Sequence, residues 1–400
     1  MKTLSVVLVT GVLGLLCAQN PTPPRAVKSA APTADAQHML DRANSLWKQH
    51  LYKDANDQFR ALVTANPDNP DYKARWGELY LERFQLEDAS ALFNEALEIR
   101  KDHPRALLGL ARIAAEDFDH KASELAEKAL EADPKLYQAR ELMARIALED
   151  NYPQKAQEQA DKALEISPDA VQAMAIRAAI ELLEAEKLDA KAESPWIAKI
   201  LQKDPHTGEG YATIAHFFVL NRRYDEGIAF YRKAIAVQPD LWSAHSELGI
   251  NLMRLGQNDE ARKELELAWT NLYQNKPTKN TLILMDSYKN FEFYKADNVI
   301  LKLNIRETNS RHYKEAEVLK PYFESELKRA IAVYEKKYQY HLTRPVQVEV
   351  YPDHEDFAVR TMGMPGLGAL GVTFGYIVAM DSPAGRPPGV FTGTAPCGMS

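Results

Sequence analysis

A mainly α-helical solenoid followed by a smaller α+β segment is the fold class that this 400-residue sequence predicts. Three observations carry the prediction. Pro134 and Pro168 lie 34 residues apart, as do Pro205 and Pro239. Each proline closes a helical run of the same pattern: Ala122, Ala126 and Ala129; Ala156, Ala160 and Ala163; Gly227, Tyr231 and Ala234. After Pro277 the period stops and alternating, strand-like runs begin. A fixed period of this size means stacked helix–turn–helix units, each unable to bury its apolar face alone.

The first 18 residues read as a targeting segment. Lys2 supplies the positive start, Leu4–Leu16 the apolar run and Ala18 a small residue for cleavage. The run is short for a membrane span, so no stable span is expected after cleavage; an uncleaved anchor is the alternative. Leu16 before Cys17 argues against lipidation. Residues 19–35 read as a Pro/Ala-rich linker. Cleavage after Ala18 leaves Cys397 as the sole cysteine, so stability rests on packing rather than on an internal disulfide. The expected localisation is export, to the periplasm or outside a bacterium.

Residues 36–277 hold about seven repeat units. In each, the first helix places a large residue beside a small one, as in Trp76-Gly77, Leu110-Ala111 and Leu248-Gly249, and Tyr80 or Leu252 helps fill the gap. The second helix presents small, large, small at i, i+4 and i+7: Ala89, Phe93, Ala96 in one unit and Ala261, Leu265, Ala268 in another. Those positions share one helix face. Small residues let two helices approach and the large one fills the groove. Proline then ends the second helix, because it clashes with the preceding turn and has no amide donor. This grammar resembles the tetratricopeptide repeat family. The fifth unit departs from it, with a longer stretch Glu184–Trp196 that contains Ser194-Pro195.

Beyond Pro277, residues 298–305 (NVILKLNI) and 346–351 (VQVEVY) read as strands. Residues 313–338 read as a long helix that Pro321 interrupts or begins. A short helix is expected from Asp353, as N-cap, to about Thr361. A glycine-rich connection 363–371 then leads to strands 372–374 and 376–380 around Gly375. Three ordered stretches, residues 346–357, 366–371 and 378–383 with Arg386-Pro387-Pro388, resemble the amino-terminal half of a peptidase-MA-like, gluzincin-type zinc peptidase domain. In that family an H-E-x-x-H helix follows: its histidines bind zinc and its glutamate activates water. None of the ten histidines here begins that motif; His354-Glu355 is followed by Ala358 where the second histidine would stand. Residues 285–391 are therefore expected to be a partial, catalytically inactive peptidase-like domain, with no metal, cofactor or catalytic residue in this chain and zinc only in a presumed parent. Glycines 366, 368 and 371 lack a following Lys-Ser/Thr pair and read as a flexible loop rather than a phosphate loop.

The tail 392–400 has no periodicity. Read back into one permitted set of codons and shifted by one base, it encodes His-Trp-Asp-Ser-Thr-Leu-Trp-His-Glu-Leu, the entry to a zinc helix. A frameshift is the expectation and a natural end the alternative.

A net charge of −7 without a basic block gives no argument for nucleic acid or an anionic membrane. The expected function is an exported protein-interaction scaffold binding a protein or peptide in its groove; the alternative is a damaged form of a zinc metallopeptidase. His216, Ile250 and Arg254 fall near positions facing the inner curve, or else lie on ordinary helix surface. No repeated Lys/Asn set to clamp a terminal carboxylate is present.

Overall fold

The computed structural model describes residues 33–116, 119–185, 193–306 and 314–383. The targeting segment, most of the linker, Arg386-Pro387-Pro388 and the tail from 392 lie outside them.

Fourteen helices pair in sequence order into seven hairpins: α1 (Ala34–Lys48) with α2 (Tyr52–Ala65), α3 (Pro70–Glu82) with α4 (Leu86–Ile99), α5 (Pro104–Glu116) with α6 (Lys121–Ala132), α7 (Tyr137–Glu149) with α8 (Pro153–Ile166), α9 (Val171–Leu183) with α10 (Pro195–Lys203), α11 (Glu209–Leu220) with α12 (Tyr224–Val237), and α13 (Trp242–Arg254) with α14 (Asn258–Thr270). In the atypical fifth pair, Ser194 caps α10 by accepting from the Trp196 amide, and Pro195 starts the helix. Helix α15 (Lys276–Ser287), capped by Asn275, closes the stack.

The small–large–small rule has a visible cause. Phe93 is fully buried, and its ring lies against Gly77 of its own hairpin and Gly109 of the next. A methyl added at Gly77 would stand 2.7 Å from Phe93 Cε1, and one at Gly109 would overlap the ring outright. Ala89, Ala96, Ala261, Leu265 and Ala268 are likewise fully buried.

The turn inside the hairpins is a left-handed residue. His50, Phe84, Asn151, Arg222 and Gly256 have φ of 58°, 57°, 62°, 60° and 76°. In each case the next residue's amide reaches back five residues: Leu51 to Leu46 O, Gln85 to Tyr80 O, Tyr152 to Ala147 O, Arg223 to Phe218 O and Gln257 to Leu252 O, at 2.7–3.0 Å. This is the Schellman closure, which satisfies carbonyls left open at a helix C-terminus. Only one of the five is glycine.

The α+β segment begins with a hairpin of β1 (Phe291–Ala296) and β2 (Val299–Asn304). Then come α16 (Glu315–Tyr338), β3 (Val346–Tyr351), α17 (His354–Met362), β4 (Gly371–Phe374) and β5 (Ile377–Asp381). The sheet order is β1-β2-β3-β5-β4, with β2-β3 and β3-β5 parallel and both outer pairs antiparallel. Three details differ from the sequence reading. Strand β1 was not expected. Pro321 neither interrupts nor starts α16, which runs through it. Asp353 occupies the N-cap of α17, but its side chain makes no cap hydrogen bond.

Two faces of the sheet are buried differently. On one, Val299, Leu301, Leu303, Val348, Val350 and Met380 pack with Ala316, Leu319 and Phe323 of α16. On the other, Lys302, Glu349, Tyr351 and Arg360 are at most 1% exposed. Glu349 accepts from Arg360 Nε at 2.7 Å, Tyr351 OH at 2.7 Å and Gln347 Nε2 at 2.8 Å. Lys302 Nζ stands 3.7 Å from Glu349 and 3.2 Å over the Tyr288 ring. Burial alone would raise the Glu349 pKa, but Arg360 and Lys302 outweigh it and hold it at about 2. Burial lowers Lys302 to about 8 despite Glu349.

The segment shares its core with the last repeats. Tyr351, Phe357, Val359, Phe374 and Ala379 belong to the same buried cluster as Leu248, Ile250 and Leu252 of α13. Arg254 donates to Thr361 O at 2.9 Å and Arg360 returns a bond to Arg254 O at 3.1 Å. Asn280 of α15 donates to Gly363 O.

Candidate protein-binding cleft

The first helices of the hairpins line the inner curve of the solenoid, enclosing a cleft of about 830 Å³. Every one of them contributes: Trp47 from α1, Arg75 from α3, Leu108 from α5, Glu141 from α7, Ile176 from α9, Thr213 from α11 and Ser243 from α13. The repeat period puts equivalent residues on this wall. Glu78 and Arg112 are 34 residues apart and both line it.

The two edges of the cleft touch. Arg83 donates to Leu272 O at 3.2 Å, and the Phe84 and Tyr273 rings meet edge-on at 4.8 Å. Arg83 and Phe84 form the turn of the second hairpin, and Leu272 and Tyr273 follow the seventh, so the solenoid curves until these two units meet on one side. Tyr273 lines the cleft beside this contact; burial raises its pKa, and Glu247 and Glu116 add to the rise.

Charge is concentrated on the first half of the wall. Glu78 is fully engaged: Arg105 donates to both its oxygens at 2.8 and 2.9 Å, and Arg75 donates at 2.6 Å. Glu141 accepts from the Ala173 amide at 3.2 Å; burial raises its pKa, partly offset by that bond and by Arg112. Glu149 is pushed up by burial, but its hydrogen bond with His216 at 3.2 Å and the Arg145 charge pull it below its ordinary value. Arg112 is reached by the water of the cleft yet surrounded by its walls; that partial desolvation lowers its pKa against the pull of Glu78 and Glu141. The second half of the wall is more apolar, with Ile176, Phe217, Tyr231 and Leu241, and carries Glu209 and Glu247.

His216 lies on the cleft wall. Ile250 and Arg254 do not. Ile250 is one period beyond His216 but is 3% exposed, within the core that includes Phe357 and Phe374. Arg254 is bound to Thr361 and lies over the Phe374 ring. Their helix positions face inward; at this end the α+β segment occupies the inner face. Arg112, Arg145 and Tyr273 were not singled out from the sequence. The signal for Arg112 was available, since it stands one period after Glu78.

Among the described residues no three of His, Cys, Asp and Glu converge to hold a metal. His354 Nδ1 lies 3.4 Å from Asp381, two groups where a zinc site takes three or four protein ligands. No helix among the described residues is long and apolar enough to cross a membrane.

No curated protein matches the chain. Among solved structures it is similar to a tetratricopeptide repeat protein from Parabacteroides merdae, at 15% identity and TM-score 0.42, over 64% of this chain and all of that one. It is also similar to PilF of Pseudomonas aeruginosa, at 19% identity and TM-score 0.34, over 50% of this chain and 89% of that one. YrrB, described as a tetratricopeptide repeat protein with an unusual peptide-binding site, matches at 18% identity and TM-score 0.30, over 46% of this chain and 95% of that one. Residues 40–104 and 218–278 match the tetratricopeptide repeat family. The chain thus carries tetratricopeptide repeats in these two stretches, within one solenoid of helix hairpins.

Proposed function

We propose that the chain is an exported protein-interaction scaffold that holds a peptide or protein segment along the inner face of its solenoid. The observation that carries this is the continuous cleft to which every first helix of the seven hairpins contributes a wall residue. A surface built from equivalent positions of stacked units suits an extended chain, because each unit offers a similar set of contacts at a regular rise. The test is site-specific photocrosslinking in the cell. A benzophenone side chain at Thr213, on the wall, is expected to capture a partner, whereas one at the exposed Lys155 of α8 is not. Equal capture at both sites, or capture at Lys155 alone, would remove the cleft from the reading.

Export is supported by Lys2, the apolar run Leu4–Leu16 and Ala18. A fusion of residues 1–35 to alkaline phosphatase should be active, and an inactive fusion in a bacterial host would refute export.

A second reading concerns residues 285–391, as part of a zinc-dependent peptidase-like domain whose catalytic helix is not in this chain. Its support is the three ordered stretches of resemblance and the α+β build of the segment. On this reading the chain is catalytically inactive. Tight stoichiometric zinc binding together with zinc-dependent casein cleavage by the purified chain would replace scaffold with enzyme.

A further inference from the structure

The cleft wall holds one guanidinium, Arg112, without a partner among the described residues, and a second, Arg145, held only by long ion pairs. Arg112 is solvent-reachable and has neither a hydrogen bond nor an ion pair among the described residues. The carboxylates around it are committed elsewhere: Glu78 to Arg75 and Arg105, Glu141 to the Ala173 amide. One hairpin along, Arg145 lies 3.6 Å from both Glu116 and Glu149, beyond hydrogen-bond reach, and its Nε has no partner. Two other arginines of the same wall, Arg75 and Arg105, are bound to Glu78. Open to the water of the cleft and committed to no residue, the Arg112 guanidinium is free to take its acceptors from a ligand.

We propose that Arg112, with Arg145 beside it, recognises a carboxylate side chain, Asp or Glu, of an extended peptide lying in the cleft. This rests on the cleft being the binding surface. The planar fork of Arg112 matches a carboxylate in two parallel bonds. A single negative charge suits the site better than a phosphate dianion, because Glu78, Glu116, Glu141 and Glu149 surround it and repel added charge. Leu108 and Leu142, 34 residues apart on the same wall, give the flanking residues an apolar surface. The expected recognition element is therefore an acidic residue next to aliphatic ones.

The experiment is a selection of random peptides displayed on phage against the full chain, followed by fluorescence polarisation with the enriched peptides. Enrichment of an acidic residue beside aliphatic ones is expected. Arg112→Gln should weaken those peptides by about tenfold or more, and Arg112→Lys should fall between, since it keeps charge but loses the fork. Replacing the peptide's Glu by Gln should cost the same, with little further loss when both changes are combined. Circular dichroism melting separates lost binding from lost folding; were Arg112→Gln unfolded, the peptide-side change and Arg112→Lys decide alone. Peptides without an acidic residue, or binding indifferent to Arg112→Gln, with Thr213 still crosslinking to the peptide, overturn this proposal and leave the cleft reading standing. Tighter binding of a phosphoserine peptide than of its Glu counterpart overturns the carboxylate assignment. No enrichment, or crosslinking only from Lys155, overturns both.

Discussion

Replacing Glu349 by Gln tests the account of the buried charges in the α+β segment. The isosteric change keeps volume but turns one acceptor oxygen into an NH2 donor, and it removes the one negative charge that faces Lys302 and Arg360, groups that are 1% and 0% exposed. Glu349 is held at about 2 rather than its ordinary 4.5. At 1.36 kcal/mol per pH unit that difference corresponds to about 3 kcal/mol of stabilisation at neutral pH. Breaking one partner of a buried pair gives a similar figure, about 3–5 kcal/mol, because a cation is left uncompensated. Lys302 softens the loss by deprotonating more readily, while Arg360 cannot. We expect hydrogen exchange at neutral pH to accelerate by about 10²-fold in residues 346–351 and 354–362. The sign with pH is also set. The Glu349 contribution is complete above about pH 4.5 and is lost as pH falls toward 2; the variant should lack this acid-sensitive portion. Lys302 works oppositely: its charge is disfavoured by folding, so it costs stability at low pH and that cost fades as pH rises from 8 toward 10.5. Exchange rates within about tenfold of the parent, or an unchanged acid transition in the tyrosine near-ultraviolet signal, would refute the reasoning.

Other expectations follow from single contacts. Gly109→Ala drives a methyl into the Phe93 ring and should cost about 1–3 kcal/mol in urea unfolding, with Phe93→Leu recovering part of it; an unchanged midpoint would contradict the packing. Arg222→Gly relieves a left-handed residue at an exposed turn and should be neutral to stabilising by up to about 1 kcal/mol in thermal melting, despite glycine's greater freedom when unfolded. Phe84→Ala removes the aromatic contact with Tyr273 and should weaken closure of the cleft by about 1 kcal/mol, read as a larger radius of gyration in X-ray scattering. An identical radius would mean that the solenoid's curvature, and not this contact, sets the gap.

The helix hairpins were legible because their cause is local and repeated. Ala89, Phe93 and Ala96 sit where the i, i+4, i+7 rule places them, and prolines mark where second helices end. The turns were not legible: the left-handed position recurs, but His50, Phe84, Asn151 and Arg222 share no chemistry, since the Schellman bond is made by backbone atoms. Strand β1 was missed for a related reason. Its run FEFYKA carries buried Phe291 but exposed Phe293, and becomes a strand through pairing with β2. Pro321 was misjudged because a missing amide donor costs one hydrogen bond, which a long helix packed on a sheet through Leu319 and Phe323 tolerates.

By itself the sequence determined the period, the paired helices, their small–large–small contacts and the change to an α+β pattern after Pro277, because each depends on neighbours within one or two repeats. Only the tertiary structure decided which inward positions stay open. His216 and Ile250 occupy the same place one period apart, yet one lines the cleft and the other is buried. The difference comes from residues more than 100 positions later: α17 and β4 bring Thr361 and Phe374 onto Arg254 and end the groove there. The meeting of Phe84 with Tyr273, and the stranding of Arg112 among carboxylates already spoken for, likewise arise from curvature accumulated over stacked units, which no local pattern encodes.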